Sequence, residues 1–123
     1  MDKDAEILNG LLNKIGVKGF SFFRTEYYLT IKIPNYNYSD YCLIGCWFSL
    51  DDLFINSRTS HFCGGQGVEY IIQKIIKTHS VNNNLGNTAD FLNINKTGLD
   101  FLKCLIDCDS LEELEIKLTL LGY

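Results

Sequence analysis

Apolar residues recur along the start of the chain as Ile7, Leu8, Leu11, Leu12 and Ile15, the spacing of one helical face, over Asp4–Ile15. Gly16 and Gly19 follow as stop signals. From Phe20 to Ile33 the period changes to two. Tyr27, Leu29, Ile31 and Ile33 alternate with Tyr28, Thr30 and Lys32, which predicts extended chain, either as two strands or as one long strand with a bulge. Pro34, the only proline, ends it. Tyr41–Leu50 is the most apolar segment and is predicted to be a strand at the centre of the sheet. Asp51 and Asp52 suggest a tight turn into a further strand, Leu53–Asn56. These connections are too short for helical crossovers, so the sheet should be an antiparallel meander.

The second half reads as helices. Val68, Ile71, Ile72, Ile75 and Ile76 give a stripe over residues 67–79, followed by an Asn-rich loop over 80–87 and an ambiguous stretch over 89–94. Leu99, Leu102, Leu105 and Ile106 predict a helix over 97–107, with Thr97 as its cap. The last segment carries two patterns at once. Leu111, Leu114, Leu118 and Leu121 keep helical spacing, whereas Leu114, Ile116, Leu118 and Leu120 alternate with Glu115, Lys117 and Thr119 as a strand would. Helix is preferred because Ser110 and Glu113 form a capping-box signature. The predicted class is α+β: a small antiparallel sheet of three to four strands, with helices packed mainly on one face, in a single compact domain over 1–123.

Composition narrows the roles open to such a domain. With 46% hydrophobic and 21% charged residues the chain is ordinary for a folded protein. Its net charge of −4 disfavours direct binding of nucleic acid or of an anionic membrane surface. The acidic start and the lack of a long apolar run make the cytoplasm the default address. Five cysteines, an odd number, suit a reducing compartment. Cys42 and Cys46, and Cys104 and Cys108, share a spacing that could build a zinc site if the two pairs met. Their apolar neighbours favour core thiols instead, and the expectation is no metal and no cofactor.

Arg58, Ser60, His61, Gly65 and Gly67 precede the helix over 67–79, where free backbone N–H groups and glycines would suit an anion. His61 and Cys63 also stand two apart, a spacing that puts a thiol and an imidazole base on one face of an extended segment, without an evident orienting carboxylate. Gly65-Gln66-Gly67-Val68 before this helix resembles the pyrophosphate-binding loop of the GNAT acetyltransferases. That resemblance covers about Leu53–Ile76 and implies coenzyme A binding and acyl transfer; Cys63, Gly64 and Glu69 depart from the family pattern. It makes a small-ligand module or minimal acyltransferase the alternative function.

The first reading comes from the aromatics. Ten of sixteen fall between Phe20 and Phe48, around the loop Asn35–Tyr41, and no Lys or Arg occurs from Ile33 to Ser57. Tyr and Asn combine rigid contact area with adaptable hydrogen bonding. Tyr36, Tyr38 and Tyr41 are therefore candidate anchors, and Asp40, Asp51 and Asp52 candidate partners for Lys or Arg on a target. Asp107, Asp109, Glu112, Glu113 and Glu115 would extend that acidic surface if the fold brought them to it. The expected function is stoichiometric, inhibitor-like binding to a basic protein such as a nuclease, in the manner of toxin-immunity or phage anti-defence proteins. A homo-oligomeric structural subunit is the third possibility.

Overall fold

The computed structural model describes residues 3–34, 41–56, 70, 72–74, 77 and 94–123, apart from the side chains of Cys42 and Asn56. Helix α1, Asp4–Ile15, stands where the apolar stripe predicts it. Gly16 ends it at φ 84°, with Val17 N–H donating to the Leu12 carbonyl (2.9 Å) and Gly16 N–H to Asn13 (3.3 Å). This is a Schellman stop, and glycine alone enters its left-handed turn without penalty.

The extended stretch resolves into two strands, β1 (Ser21–Arg24) and β2 (Leu29–Pro34), followed by β3 (Tyr41–Trp47). They form a three-stranded antiparallel meander in the order β1-β2-β3. Leu29, Ile31 and Ile33 are buried as the alternation predicts, but Thr30 of the opposite face is buried as well and Lys32 is only partly exposed. Tyr27 departs from the alternation, because the chain reverses between Thr25 and Tyr28 and leaves Tyr27 exposed at the hairpin tip. The central strand is β2 rather than β3, so the most apolar segment lies at an edge of this sheet. The free edge of β1 is covered by α1: Asn9 donates to the Phe22 carbonyl (2.9 Å) and accepts from Phe22 N–H (2.7 Å), as a neighbouring strand would.

A bulge sets the faces of β3. Leu29 pairs with Trp47 and Ile31 with Ile44, so Thr30 opposes both Gly45 and Cys46. Gly45 takes φ 79°, the left-handed glycine of one bulge type. The extra residue shifts the alternation by one, so Ile44 and Trp47, three apart, both point into the core. Cys46 is turned out to solvent, and the Thr30 hydroxyl donates to the Ile44 carbonyl (3.1 Å) beside the bulge.

The predicted turn and fourth strand after β3 are instead a helix, α2 (Leu50–Asn56). Its start explains why. Ser49 Oγ accepts from Asp52 N–H (3.2 Å), Asp52 accepts from Phe48 N–H (2.8 Å), and Asp4 of α1 accepts from Leu50 N–H (3.0 Å). A Ser-x-x-Asp box thus occupies the residues read as a turn. Beyond it, Tyr70, Ile72, Gln73, Lys74 and Lys77 are helical, and Ile72 is buried, in line with the helix predicted over 67–79. The Asn-rich loop and most of the ambiguous stretch before Ile94 lie outside the described residues.

Helix α3, Lys96–Leu105, begins two residues earlier than a Thr97 cap would allow. Asn95 is the cap. Its Oδ1 accepts from Gly98 N–H (2.9 Å) and Lys18 N–H (3.0 Å), while Nδ2 donates to the Gly16 carbonyl (2.8 Å). One side chain therefore starts α3 and ties it to the end of α1. Phe101 of α3 packs against Phe20 and Phe22 at ring-centroid distances of 6.0 and 6.1 Å, joining α3 to the sheet.

Helix α4, Leu111–Leu120, settles the double pattern at the end of the chain in favour of helix. Ser110 Oγ accepts from Glu113 N–H (3.1 Å), and Glu113 reaches back to Asp109 N–H (3.1 Å). The strand-like alternation is the sum of two helical stripes. Leu114 and Leu118 are buried, whereas Ile116 and Leu120 lie exposed on another side. A second Schellman stop at Gly122 (φ 97°) turns Tyr123 back, and its hydroxyl donates to Asp100 of α3 (2.7 Å). Burial works to raise the Asp100 pKa, but the Tyr123 hydroxyl and the Lys96 ammonium outweigh it and hold the carboxyl below its ordinary value.

Candidate functional site

Tyr36, Tyr38 and Asp40 of the aromatic loop lie outside the described residues, as do Arg58, Ser60, His61, Gly65 and Gly67 of the glycine-rich loop. Tyr41, Asp51 and Asp52 are described, and the fold gives them different tasks. Tyr41 is half-exposed at the start of β3, on the outer side of the sheet. The Lys32 ammonium sits 4.9 Å from its ring centroid and 5.4 Å from that of Phe23. The stretch from Ile33 to Ser57 lacks cations in sequence, yet strand pairing brings one in from β2. Asp52 is engaged at the start of α2, as described above. Asp51, one residue away, is exposed.

A second aromatic group was not visible as such in the sequence. Tyr27 and Tyr28 at the β1–β2 turn meet Phe48 at the end of β3, with centroids 6.4 Å (Tyr27–Tyr28) and 5.6 Å (Tyr28–Phe48) apart. Tyr27 and Phe48 are each 67% exposed. Arg24 Nη2 donates to the Phe48 carbonyl (2.9 Å) and pins the ledge to β1. Glu26 and Asp51 flank these aromatics along the chain. The usable signal was a hairpin reversal before Leu29, which would have freed Tyr27 and Tyr28 from the core.

The acidic tract is partly neutralised and partly free to face a ligand. Lys117 bridges Asp107 (3.1 Å) and Glu113 (3.4 Å), and it donates to the Asp107 carbonyl as well. Asp109 instead shares a cleft of about 240 Å³ with Asp51, between the starts of α2 and α4, floored by Phe54 and Leu111. The fold therefore brings Asp51 beside one acid of the distant tract; Asp40 and the tyrosine loop, which the tract was expected to join, lie outside the described residues. Glu112 and Glu115 line a further cleft of about 370 Å³ along α4, with Ile116 and Leu120.

The cysteines divide by environment. Cys104 and Cys108 are buried, and Cys108 Sγ lies 3.5 Å from the Leu105 carbonyl. Burial, reinforced by the Glu113 carboxylate, pushes the Cys108 thiol up to about 11; burial and Asp100 also raise Cys104. Among the described residues no group of three or more His, Cys, Asp or Glu is placed to hold a metal. Neutral-pH alkylation of the native protein should label exposed Cys46 and spare Cys104 and Cys108, as peptide mass spectrometry would show; early labelling of Cys108 would contradict its burial. Because the folded-state pKa of Cys108 is raised, its contribution to stability is complete below the ordinary value of 9.0 and declines as the pH rises toward 11.

No described helix is long and apolar enough to cross a membrane. Comparison with family models, with curated proteins and with solved structures finds no match to this chain. The functional reading accordingly stands on the surface just described.

Proposed function

We propose that this chain acts by stoichiometric binding of another protein, in the manner of an inhibitor, through an aromatic and acidic surface that meets a basic partner. The observation that carries this reading is the Tyr27-Tyr28-Phe48 ledge, whose rings pack on one another at the surface, with exposed Asp51 three residues beyond Phe48 in the chain. Clustered exposed aromatics are a signature of interface anchors, since they bury large area at low entropic cost. Net charge −4 favours approach of a basic target, and Asp51 with Asp109 supplies a local focus for its Lys or Arg side chains.

The test is capture by tagged wild type and by the Tyr28→Ala/Phe48→Ala double variant from the same native lysate, read by quantitative mass spectrometry. A basic protein recovered in equimolar amount by the wild type should fall by about tenfold or more with the variant, the loss expected of interface anchors. Both residues are exposed, so the melting temperature should change little. Equal recovery by the two proteins would remove the ledge from the interface.

A further inference from the structure

Helix α4 carries more apolar surface than the fold uses. Leu114 and Leu118 serve the core, but Ile116 is 56% and Leu120 81% exposed. These two are four residues apart on the helix and line one cleft with Glu112, Glu115 and Thr119. Among the described residues no cation lines this cleft, and neither glutamate makes an ion pair with any of them. Lys117, the one cation of α4, is turned away to Asp107 and Glu113. At the head of the helix lies the separate cleft shared by Asp51 and Asp109, with exposed Ile55 and no cation among its described lining residues. The cleft along α4 is thus an apolar pair bordered by carboxylates.

We propose that this outer face of α4 docks a basic amphipathic helix of the protein partner. The proposal rests on the protein-binding reading above and specifies the chemistry of the partner. An i, i+4 apolar pair in a shallow groove suits the apolar stripe of another helix, and the bordering carboxylates suit Lys or Arg on its flanks. Charge decides against the other occupants. A second copy would bring Glu112 and Glu115 against like charges, and an anionic lipid surface would be repelled. The ten residues of α4 span about 15 Å, which matches three turns of a partner helix.

The probe is a fluorescein-labelled Leu/Lys peptide of about 14 residues with leucines at the i, i+3, i+4, i+7 spacing, measured by anisotropy on the full chain. Two comparison peptides accompany it: one of the same composition with strictly alternating residues, and one with Glu for Lys. Saturable one-to-one binding of the amphipathic basic peptide alone is expected. It should weaken about tenfold or more in Ile116→Lys/Leu120→Lys, and Glu112→Lys/Glu115→Lys should weaken it and flatten its salt dependence. All four side chains lie on the surface of α4, and circular dichroism would verify that each variant is folded.

Equal binding of the alternating peptide, unchanged affinity in both variants, or no saturable binding would each overturn the proposal. So would dimerisation of the unliganded chain that the Ile116→Lys/Leu120→Lys variant abolishes, which would assign the face to a second copy. Peptide binding lost in Tyr28→Ala/Phe48→Ala but retained in both α4 variants would reject this groove while leaving the protein-binding reading standing.

Discussion

Replacing Gly45 by alanine is expected to destabilise the protein by about 2–5 kcal/mol, the largest effect foreseen for a single added methyl group among the described residues. Two costs combine. At φ 79° a side chain meets its own backbone, which alone costs about 1–2 kcal/mol. A Cβ would also stand 2.1 Å from Cη2 of Trp47 and within 2.6 Å of two further ring atoms. Trp47 is fully buried and cannot swing aside, so the bulge or the indole must shift at an overpacking cost of about 1–3 kcal/mol. Gly16 provides the internal comparison. It has a similar φ of 84° but open space around the Cβ position, so Gly16→Ala should show the backbone cost alone. Urea denaturation of both variants would measure the difference. Equal losses would mean that Trp47 yields easily and that the indole does not enforce glycine at the bulge.

The second large effect is expected at Asn95. Alanine there removes the bonds to Gly98, Lys18 and Gly16 together, leaving the start of α3 uncapped and its tie to α1 reduced to the backbone bond from Asn95 N–H to the Lys18 carbonyl (3.1 Å). Loss of a cap costs about 0.5–2 kcal/mol. The two further bonds lie at the surface, where water can replace part of them, so the whole should come to about 2–3 kcal/mol. Asn95→Asp separates the roles. A carboxylate still accepts from Gly98 and Lys18 but cannot donate to the Gly16 carbonyl, so it should recover most of the loss. A shift in denaturation midpoint with unchanged slope would place the effect in the folded state. Thr97→Ala should be far milder, because Thr97 lies within the first turn of α3.

The gap between Thr97 and Asn95 shows where sequence reading reached its limit. Both residues can cap a helix, and the choice was made by Lys18, 77 positions away, whose N–H and carbonyl are both met by Asn95. The turn expected at Asp51-Asp52 failed differently. Paired aspartates favour a turn, but Ser49 three residues before Asp52 completes a Ser-x-x-Asp box that starts a helix instead. For the candidate surface, Asp51 is exposed, whereas Asp52 is taken up by the start of its own helix. The Tyr27-Tyr28-Phe48 ledge came into view only with the sheet, since Tyr28 and Phe48 lie about twenty residues apart and touch because their neighbours Leu29 and Trp47 pair between β2 and β3.

What the sequence by itself determined is what acts over one or two turns of chain. The stripe of α1, the stop at Gly16, the capping box of α4 and the apolar residues of β2 two apart are each written in residues that meet their neighbours within a few positions, and the α+β class with an antiparallel meander follows from them. Only the tertiary structure decided which strand is central, which apolar stripe of α4 reaches the core, and that Lys32 lies over Tyr41 while Asp51 shares a cleft with Asp109. Those outcomes depend on pairing register, on one extra residue at Gly45, and on burial against distant elements. A one-residue shift in a strand turns every side chain to the other face, and no local pattern carries that choice.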